Sequence, residues 1–129
     1  MNQKLCLITG GGSGIGRATA IKFAQNKIKT IIVGRRINAL EDTVSLAGEN
    51  SVFLTPVKAD LSTEDGINNL FSYVEKNFDT NVNILVNNAG SSSKVRSIAH
   101  IPKNQWDEVL NINLNSVYLL CQKFLKDMI

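Results

Sequence analysis

The chain has 129 residues, enough for one domain of ordinary size, and its 43% hydrophobic and 19% charged residues are typical of a globular protein. The formal net charge is only +3 and the basic residues are scattered, with no basic run longer than Arg35 and Arg36, which argues against a nucleic-acid-binding surface. The N-terminus has no signal-peptide pattern and no apolar run approaches the ~20 residues that span a bilayer, so we expect a cytoplasmic protein without a membrane partner.

Strands and helices are predicted to alternate along the chain. Apolar runs rich in β-forming residues predict strands at residues 5–9, 30–33, 52–57 and 82–86, and their lack of strict polar alternation favours a parallel sheet covered on both faces. Apolar residues at helical spacing predict helices from residue 14 to about 27, from about 38 to 47, after the Ser62-Thr63-Glu64-Asp65 cap, and from near Pro102 to the end of the chain. This order predicts an α/β fold with a doubly wound sheet. Two cysteines, Cys6 and Cys121, lie in apolar segments without metal-ligand spacing, so we expect reduced core thiols and no metal site.

The first strand-to-helix turn is exceptionally rich in glycine. Residues 9–16 read TGGGSGIG and hold five of the nine glycines in the chain. A helix N-terminus presents unpaired N–H groups and a partial positive charge, and glycines remove the Cβ atoms that would keep a phosphate away from it. The cluster therefore predicts a phosphate-binding turn. A flexible surface turn is the alternative interpretation.

The glycine spacing identifies a family resemblance. Thr9, Gly10, Gly14 and Gly16 form the pattern T-G-x-x-x-G-x-G, and an Asn-Asn-Ala-Gly sequence at residues 87–90 follows the fourth predicted strand. Together with Asp60-Leu61 after the third strand and the helix carrying Trp106 and Asn113, this order resembles the short-chain dehydrogenase/reductase family over the whole chain. The resemblance implies a Rossmann-type fold and a nicotinamide dinucleotide cofactor.

The resemblance also implies which residues line the cofactor. It assigns the backbone of Ser13 and Ile15 to the pyrophosphate, Asp60 and Leu61 to the two sides of the adenine, and the stretch along the fourth strand to the remainder of the cofactor, through Asn87, Ala89 and Gly90. For Asp60 the alternative is a turn residue that leads into a helix. Arg17, just inside the first helix, is interpreted as a solvated charge rather than a phosphate ligand.

The residues after the second strand favour NADP(H) over NAD(H). In dinucleotide-binding folds an acidic residue ~20 positions beyond the glycines binds the ribose 2′-hydroxyl of NAD. Here that position is Gly34, followed at once by Arg35 and Arg36. An arginine forms charge-assisted hydrogen bonds with a 2′-phosphate, which an aspartate would repel. We therefore predict NADP(H), with Arg35 as the main contact and Arg36 as a second contact or an adenine-stacking group; a solvated loop pair is the alternative.

Asn113 is the one candidate catalytic residue. It is predicted to point into the apolar stripe of the last helix, where a buried amide needs a specific partner, and the resemblance implies a part in holding the active-site water and the catalytic lysine. A structural amide is the alternative. The family's Tyr-x-x-x-Lys pair is not present, because Asn77 and Gln122 stand four residues after the two tyrosines. Ser91, Ser92 and Ser93 are expected at the edge of the substrate cleft, and His100 in a surface loop.

The chain is therefore expected to be the N-terminal, NADP-binding part of a longer oxidoreductase. We expect an incomplete sheet of four strands in the order 3-2-1-4, with the fourth strand as a bare edge and with Ile112 and Leu119 exposed on the last helix until a second subunit covers them. Its substrate would be a small-molecule carbonyl or alcohol compound, and the full protein a homo-oligomer through the last helix. The residues alone are expected to be inactive. A non-catalytic dinucleotide-binding sensor or scaffold is the alternative function.

Overall fold

The computed structural model describes residues 3–129. Four parallel strands form one sheet: β1 (Leu5–Thr9), β2 (Lys29–Gly34), β3 (Leu54–Lys58) and β4 (Ile84–Val86), in the order β3-β2-β1-β4. The predicted doubly wound topology and strand order are confirmed. In a parallel sheet the carboxyl ends of all strands lie at the same end of the sheet, and the turns that follow the strands meet there.

Helices cover both faces of the sheet. They are α1 (Gly14–Gln25), α2 (Ile37–Leu46), α3 (Glu64–Asn77), α4 (Lys103–Leu110) and α5 (Ser116–Phe124). Alternate residues of β1 explain the absence of a polar face, because Leu5 and Leu7 belong to one core cluster, while Cys6 and Ile8 belong to the other. No helix within residues 3–129 combines the length and apolar character that a membrane crossing requires.

Two predicted strand boundaries are wrong by two residues. Val52 is exposed in a 3₁₀ turn, Gly48–Phe53, and the strand begins at Leu54. Val82 is buried but precedes β4, which begins at Ile84. Both valines have the apolar, β-branched character that favours a strand, yet neither lies within the ladder pairing; local composition does not determine where pairing starts.

The long C-terminal helix contains a π turn that the sequence pattern did not predict. Residues Asn111–Asn115 form this turn between α4 and α5, and a 3₁₀ turn, Leu125–Asp127, follows α5. A π turn holds one more residue than an α turn, so the buried face after it is rotated relative to the face before it. Ile112 is consequently buried and Leu119 packs against the core, which corrects the prediction that both are exposed. Trp106 and Leu110, both apolar residues of α4, are partly exposed.

Candidate functional site

The turn between β1 and α1, residues 10–13, is called the glycine loop below, and it is packed tightly against its neighbours. The backbone N–H groups of Gly10 and Gly11 donate to the Val33 carbonyl at 2.8 and 3.2 Å, which fastens the loop to the end of β2. A Cβ atom on Gly16 would collide with the Gly10 carbonyl oxygen and with the Asn88 side chain. Helix α1 therefore starts directly against the loop, as close packing of helix and strand requires.

The N-terminus of α1 is open toward solvent. Gly14 has a φ of +53°, a conformation that L side chains rarely adopt, and nothing lies within 4 Å of the position a Cβ would take. Ser13 is the N-cap residue but makes no side-chain capping hydrogen bond, and the first turn contains no acidic residue. Ile15 is 78% exposed. The backbone at the start of α1 is thus accessible at Gly14, and a helix N-terminus, with its unpaired N–H groups and partial positive charge, is suited to an anion.

Arg17 ties the glycine loop to α2. Its Nη2 donates to the carbonyl oxygens of Gly12 at 2.6 Å and Ala39 at 3.0 Å, and its Nε donates to Thr43 Oγ1 at 2.9 Å. The buried Thr43 hydroxyl in turn donates to the Gly11 carbonyl at 2.8 Å. The interpretation of Arg17 as a solvated charge is wrong, because its guanidinium is used as a multiple donor inside the fold. Spacing within α1 gave no signal for partners about 22 to 26 residues away.

Thr9 and Asn88 join the ends of β1 and β4. Thr9 is 1% exposed, and its hydroxyl accepts from the N–H groups of Asn88 at 3.0 Å and Ala89 at 2.9 Å. The Asn88 amide donates to the carbonyl oxygens of Thr9 and Gly10 at 3.1 and 3.2 Å. Thr9 thus lies beneath the glycine loop and holds the turn after β4 against the end of β1. Through its bonds to Thr9 and Gly10, Asn88 sets the height of the glycine loop, a role that its place in the Asn-Asn-Ala-Gly motif did not predict.

Arg35 and Arg36 follow β2, and both side chains are exposed. Arg35 Nη1 forms an ion pair with Glu108 Oε1 at 3.2 Å, across 73 positions of sequence. Arg36 is the N-cap residue of α2. The acidic partner on α4 was missed by the sequence analysis, since nothing in local spacing connects the two segments.

Asp60 forms a turn after β3. Its Oδ1 accepts hydrogen bonds from the Ser62 hydroxyl at 2.6 Å and from the Ser62 N–H at 2.9 Å. These bonds, with a smaller contribution from the positive charge of Arg35, hold the pKa of the Asp60 carboxyl below its ordinary value. The helix-leading turn considered in the sequence analysis is therefore present. Leu61 is buried beside it.

A cavity of about 130 Å³ lies at the carboxyl ends of the strands. It is lined by the last residue of β2, by residues from the turns after all four strands, and by one residue of the π turn: Gly10, Gly34, Arg35, Ala59, Leu61, Ala89, Gly90, Ser91 and Ile112. In open α/β sheets, ligands bind in the crevice outside the carboxyl ends of the strands. The structure thus brings predicted residues from the glycine loop, β2, β3 and β4 to one crevice.

Asn113 holds the segment that follows β4. Its Nδ2 donates to the carbonyl oxygens of Ser91 at 2.7 Å and Val109 at 2.8 Å, and its Oδ1 accepts from the Ser91 N–H at 3.2 Å. A Cβ on Gly90 would come within 2.7 Å of that oxygen. The expected specific partner exists, but the expected burial is wrong: the π turn leaves Asn113 exposed. Asn87 is exposed and donates to Cys121 Sγ at 3.6 Å.

The two tyrosines, the single histidine and Ser93 are the other side chains that could take part in acid–base chemistry. Tyr73 on α3 and Tyr118 on α5 are exposed, and His100 is exposed with its Nδ1 3.1 Å from Ser97 Oγ. Ser93 Oγ donates to Gln105 Oε1 at 2.6 Å. Among residues 3–129, no three His, Cys, Asp or Glu side chains cluster in the manner of a metal site. Cys6 is buried in the core, and this burial raises the pKa of its thiol to about 12.

Comparisons with known proteins all indicate the same family. The short chain dehydrogenase family model matches residues 4–129. A 3beta-hydroxysteroid dehydrogenase of Mediterraneibacter gnavus is 32% identical over 128 residues, covering 97% of this chain and 45% of that protein. The chain spans half, or less, of the length of the curated relatives it matches.

Solved structures agree with these sequence matches. A metagenomic short-chain oxidoreductase in complex with NADP superposes with a TM-score of 0.89 at 25% identity, covering 97% of this chain and 56% of that chain. A 3-ketoacyl-(acyl-carrier-protein) reductase of Brucella melitensis, complexed with NADH, superposes with a TM-score of 0.83 at 31% identity over 96% of this chain and 50% of that chain. Both nicotinamide dinucleotides therefore occur among the structural neighbours.

Proposed function

Because this chain belongs to the short-chain dehydrogenase/reductase family of oxidoreductases, we propose that it binds NADP(H) across the carboxyl edge of its sheet. The observation that carries the proposal is the N-terminus of α1, where Gly14 faces open space and no side chain caps the helix. The nicotinamide of the bound cofactor would exchange a hydride with a carbonyl or alcohol substrate. The proposal concerns these residues as the cofactor-binding part of a longer oxidoreductase, in keeping with the greater length of the relatives.

The pyrophosphate is proposed to rest on the first turn of α1. The N–H groups of Ser13, Gly14 and Ile15 supply hydrogen-bond donors, and the helix dipole adds a favourable partial charge. Gly10 and Gly16 serve this site by letting loop and helix pack closely, since a Cβ at either position would meet Asn88. Thr9 acts as a positioning residue, because its hydroxyl is committed to the turn after β4.

The adenosine end is proposed to lie between the turns after β2 and β3. Leu61 offers an apolar wall in the cavity, and Asp60 has one oxygen engaged by Ser62, which leaves its other oxygen for a hydrogen bond. Arg35, with Arg36 beside it, is proposed to bind the 2′-phosphate. No carboxylate occupies the position of Gly34, where an acidic residue would select NAD.

The nicotinamide end is proposed to run along the turn after β4, past Asn87, Ala89 and Gly90. Asn113 contributes by fixing the Ser91 backbone through both its amide atoms. Since those atoms already have protein partners, we assign it a positioning role within the proposed active site. A carbonyl reductase of this family also needs a proton donor, and the tyrosine–lysine pair of the family is not among these residues.

Exchange of Arg35 tests the proposed cofactor. Arg35→Asp should weaken NADPH binding by about ten- to a hundredfold, the value of one charge-assisted contact, and shift preference toward NADH. Calorimetric titration with both nucleotides measures the change. Lys4→Asp is the matched control, because Lys4 precedes β1 and lies at the amino ends of the strands, opposite the proposed site. Unchanged NADPH affinity in Arg35→Asp would contradict the assignment.

Turnover distinguishes the enzyme from the alternative binding module. These residues alone are expected to bind NADPH without oxidising it in the presence of ketones, while a chain that also carries a Tyr-x-x-x-Lys segment should do so. The absorbance of the nicotinamide is the measurement. Steady NADPH oxidation by the 129 residues alone would overturn the expectation, and its absence from the longer chain would favour the sensor or scaffold.

Self-association through the last helix is also proposed. Its outward face carries exposed apolar side chains, among them Leu114 and Tyr118. These replace Ile112 and Leu119, which the sequence analysis expected to be exposed there. Sedimentation of the protein with and without Tyr118→Glu should show an oligomer that the substitution weakens.

A further inference from the structure

The ion pair between Arg35 and Glu108 concerns the choice between the two nicotinamide dinucleotides. Arg35 lines the cavity at the carboxyl edge of the sheet, and it also lines a neighbouring depression together with Glu108, Ser91 and Gln105. The guanidinium thus lies on the boundary between the proposed cofactor crevice and α4. We propose that Glu108 sets the discrimination between NADPH and NADH by holding Arg35 in an ion pair with which the 2′-phosphate must compete. This inference rests on the proposed binding of NADP(H).

The geometry makes the pair easy to exchange. It joins a single guanidinium nitrogen, Nη1, to a single carboxylate oxygen at 3.2 Å, and the two side chains are 56% and 52% exposed. Exposed pairs of this kind contribute little, because water and salt screen them and two long side chains must be ordered. A phosphate group carries more negative charge than a carboxylate and offers three acceptor oxygens. It can therefore displace Glu108, at an energetic cost that NADH, which lacks the 2′-phosphate, does not incur.

The negative charge of Glu108 weakens NADPH binding in a second way, by repelling the 2′-phosphate. Arg35 and Arg36 bring two positive charges to the end of β2, whereas Glu108 and Asp60 bring two negative charges to its surroundings. Even after Arg35 has turned toward the nucleotide, the Glu108 carboxylate remains on the adjoining helix and repels the phosphate. Glu108 should accordingly lower the preference for NADPH that the arginines create, so that the affinities for NADPH and NADH become more similar.

The test uses Glu108→Gln, which removes the charge but preserves the size of an exposed side chain. NADPH should bind about two- to fivefold more tightly, the range expected for an exposed pair, and NADH affinity should stay unchanged. Asp107→Asn is the matched control: it removes the same charge from the neighbouring position, where the carboxylate pairs with Lys103 at 2.7 Å. The NADPH gain should be absent in this control.

Two further measurements isolate the route through Arg35. In an Arg35→Gln background, Glu108→Gln should lose most of its effect on NADPH, and in the original background the effect should shrink at high salt. An unchanged NADPH-to-NADH affinity ratio in Glu108→Gln, or an equal change in Asp107→Asn, would overturn the inference while leaving NADP(H) binding intact. Failure of the unaltered protein to bind either nucleotide would overturn the proposed function and this inference together.

Discussion

Polar side chains around the glycine loop form hydrogen bonds mainly with other groups of the protein. Thr9, Asn88 and Arg17 each engage two or more groups of the fold. Their hydrogen bonds fix the height of the loop above the sheet and its distance from α2. The proposed phosphate seat itself is made of backbone. At the scale of the residue, side chains around the glycine loop position the main chain, and the main-chain N–H groups are the proposed phosphate ligands.

Arg17 provides a test of this division of roles. Arg17→Lys keeps the charge but replaces a planar fork that reaches Gly12, Ala39 and Thr43 by a single ammonium group. We expect the free energy of unfolding to fall by about 1–3 kcal/mol, the value of hydrogen bonds to a charged donor.

Urea denaturation measures the loss. Arg96→Lys, at an exposed position in the segment after β4, is the control and should change stability by less than about 0.5 kcal/mol. Equal stabilities of the Arg17 variant and the unaltered protein would show that the guanidinium fork does not brace the loop.

The π turn is the decisive feature at the scale of the element. Within and beside it, side chains bond main-chain carbonyls one turn back: Asn113 donates to Val109 at 2.8 Å and Ser116 donates to Ile112 at 2.5 Å. Adding one residue to a turn rotates the following helix by about 100°. On the following helix Ser116, Leu120 and Phe124, spaced four residues apart, face the core, and Ile112 of the turn itself is buried with them. Phe124 meets Phe71 of α3 edge to face, with ring centroids 5.2 Å apart.

Substitutions on either side of the turn report this rotation. Ile112 is 6% exposed and Leu114 is 63% exposed. Ile112→Ala should lower the free energy of unfolding by about 2–4 kcal/mol, because it removes buried apolar volume. Leu114→Ala should cost less than about 0.5 kcal/mol in the monomer. Thermal denaturation at low protein concentration distinguishes this pattern from a continuous α-helix, for which Ile112 would be the neutral position.

At the scale of the whole molecule, the fold was largely predictable and the site only partly so. Doubly wound order followed from strand–helix alternation and the family's motifs, because buried parallel strands leave a strong local signal. The last helix was misjudged at Asn113 because a π turn leaves no mark in a 3.6-residue period. The contact of Arg17 with Ala39 and the ion pair of Arg35 with Glu108 were not predicted, because each joins segments that only the folded chain brings together.

The proposed binding of the diphosphate depends on the open helix start at Gly14. Gly14 and Gly48 share two properties: a positive φ, +53° and +59°, and no atom within 4 Å of where a Cβ would stand. Gly48 begins the turn that leads to the amino end of β3, opposite the proposed site. An alanine at either position should cost about 1–2 kcal/mol of stability through the same backbone strain.

NADPH affinity is the measurement in which the two variants must differ. In Gly14→Ala the new methyl group intrudes on the proposed pyrophosphate seat, so the dissociation constant for NADPH should rise by about tenfold or more, equivalent to about 1.4 kcal/mol. In Gly48→Ala it should stay as in the unaltered protein. Calorimetric titration of both folded variants gives the answer. Equal affinities in the two would contradict the claim that the bare turn beneath α1 holds the diphosphate.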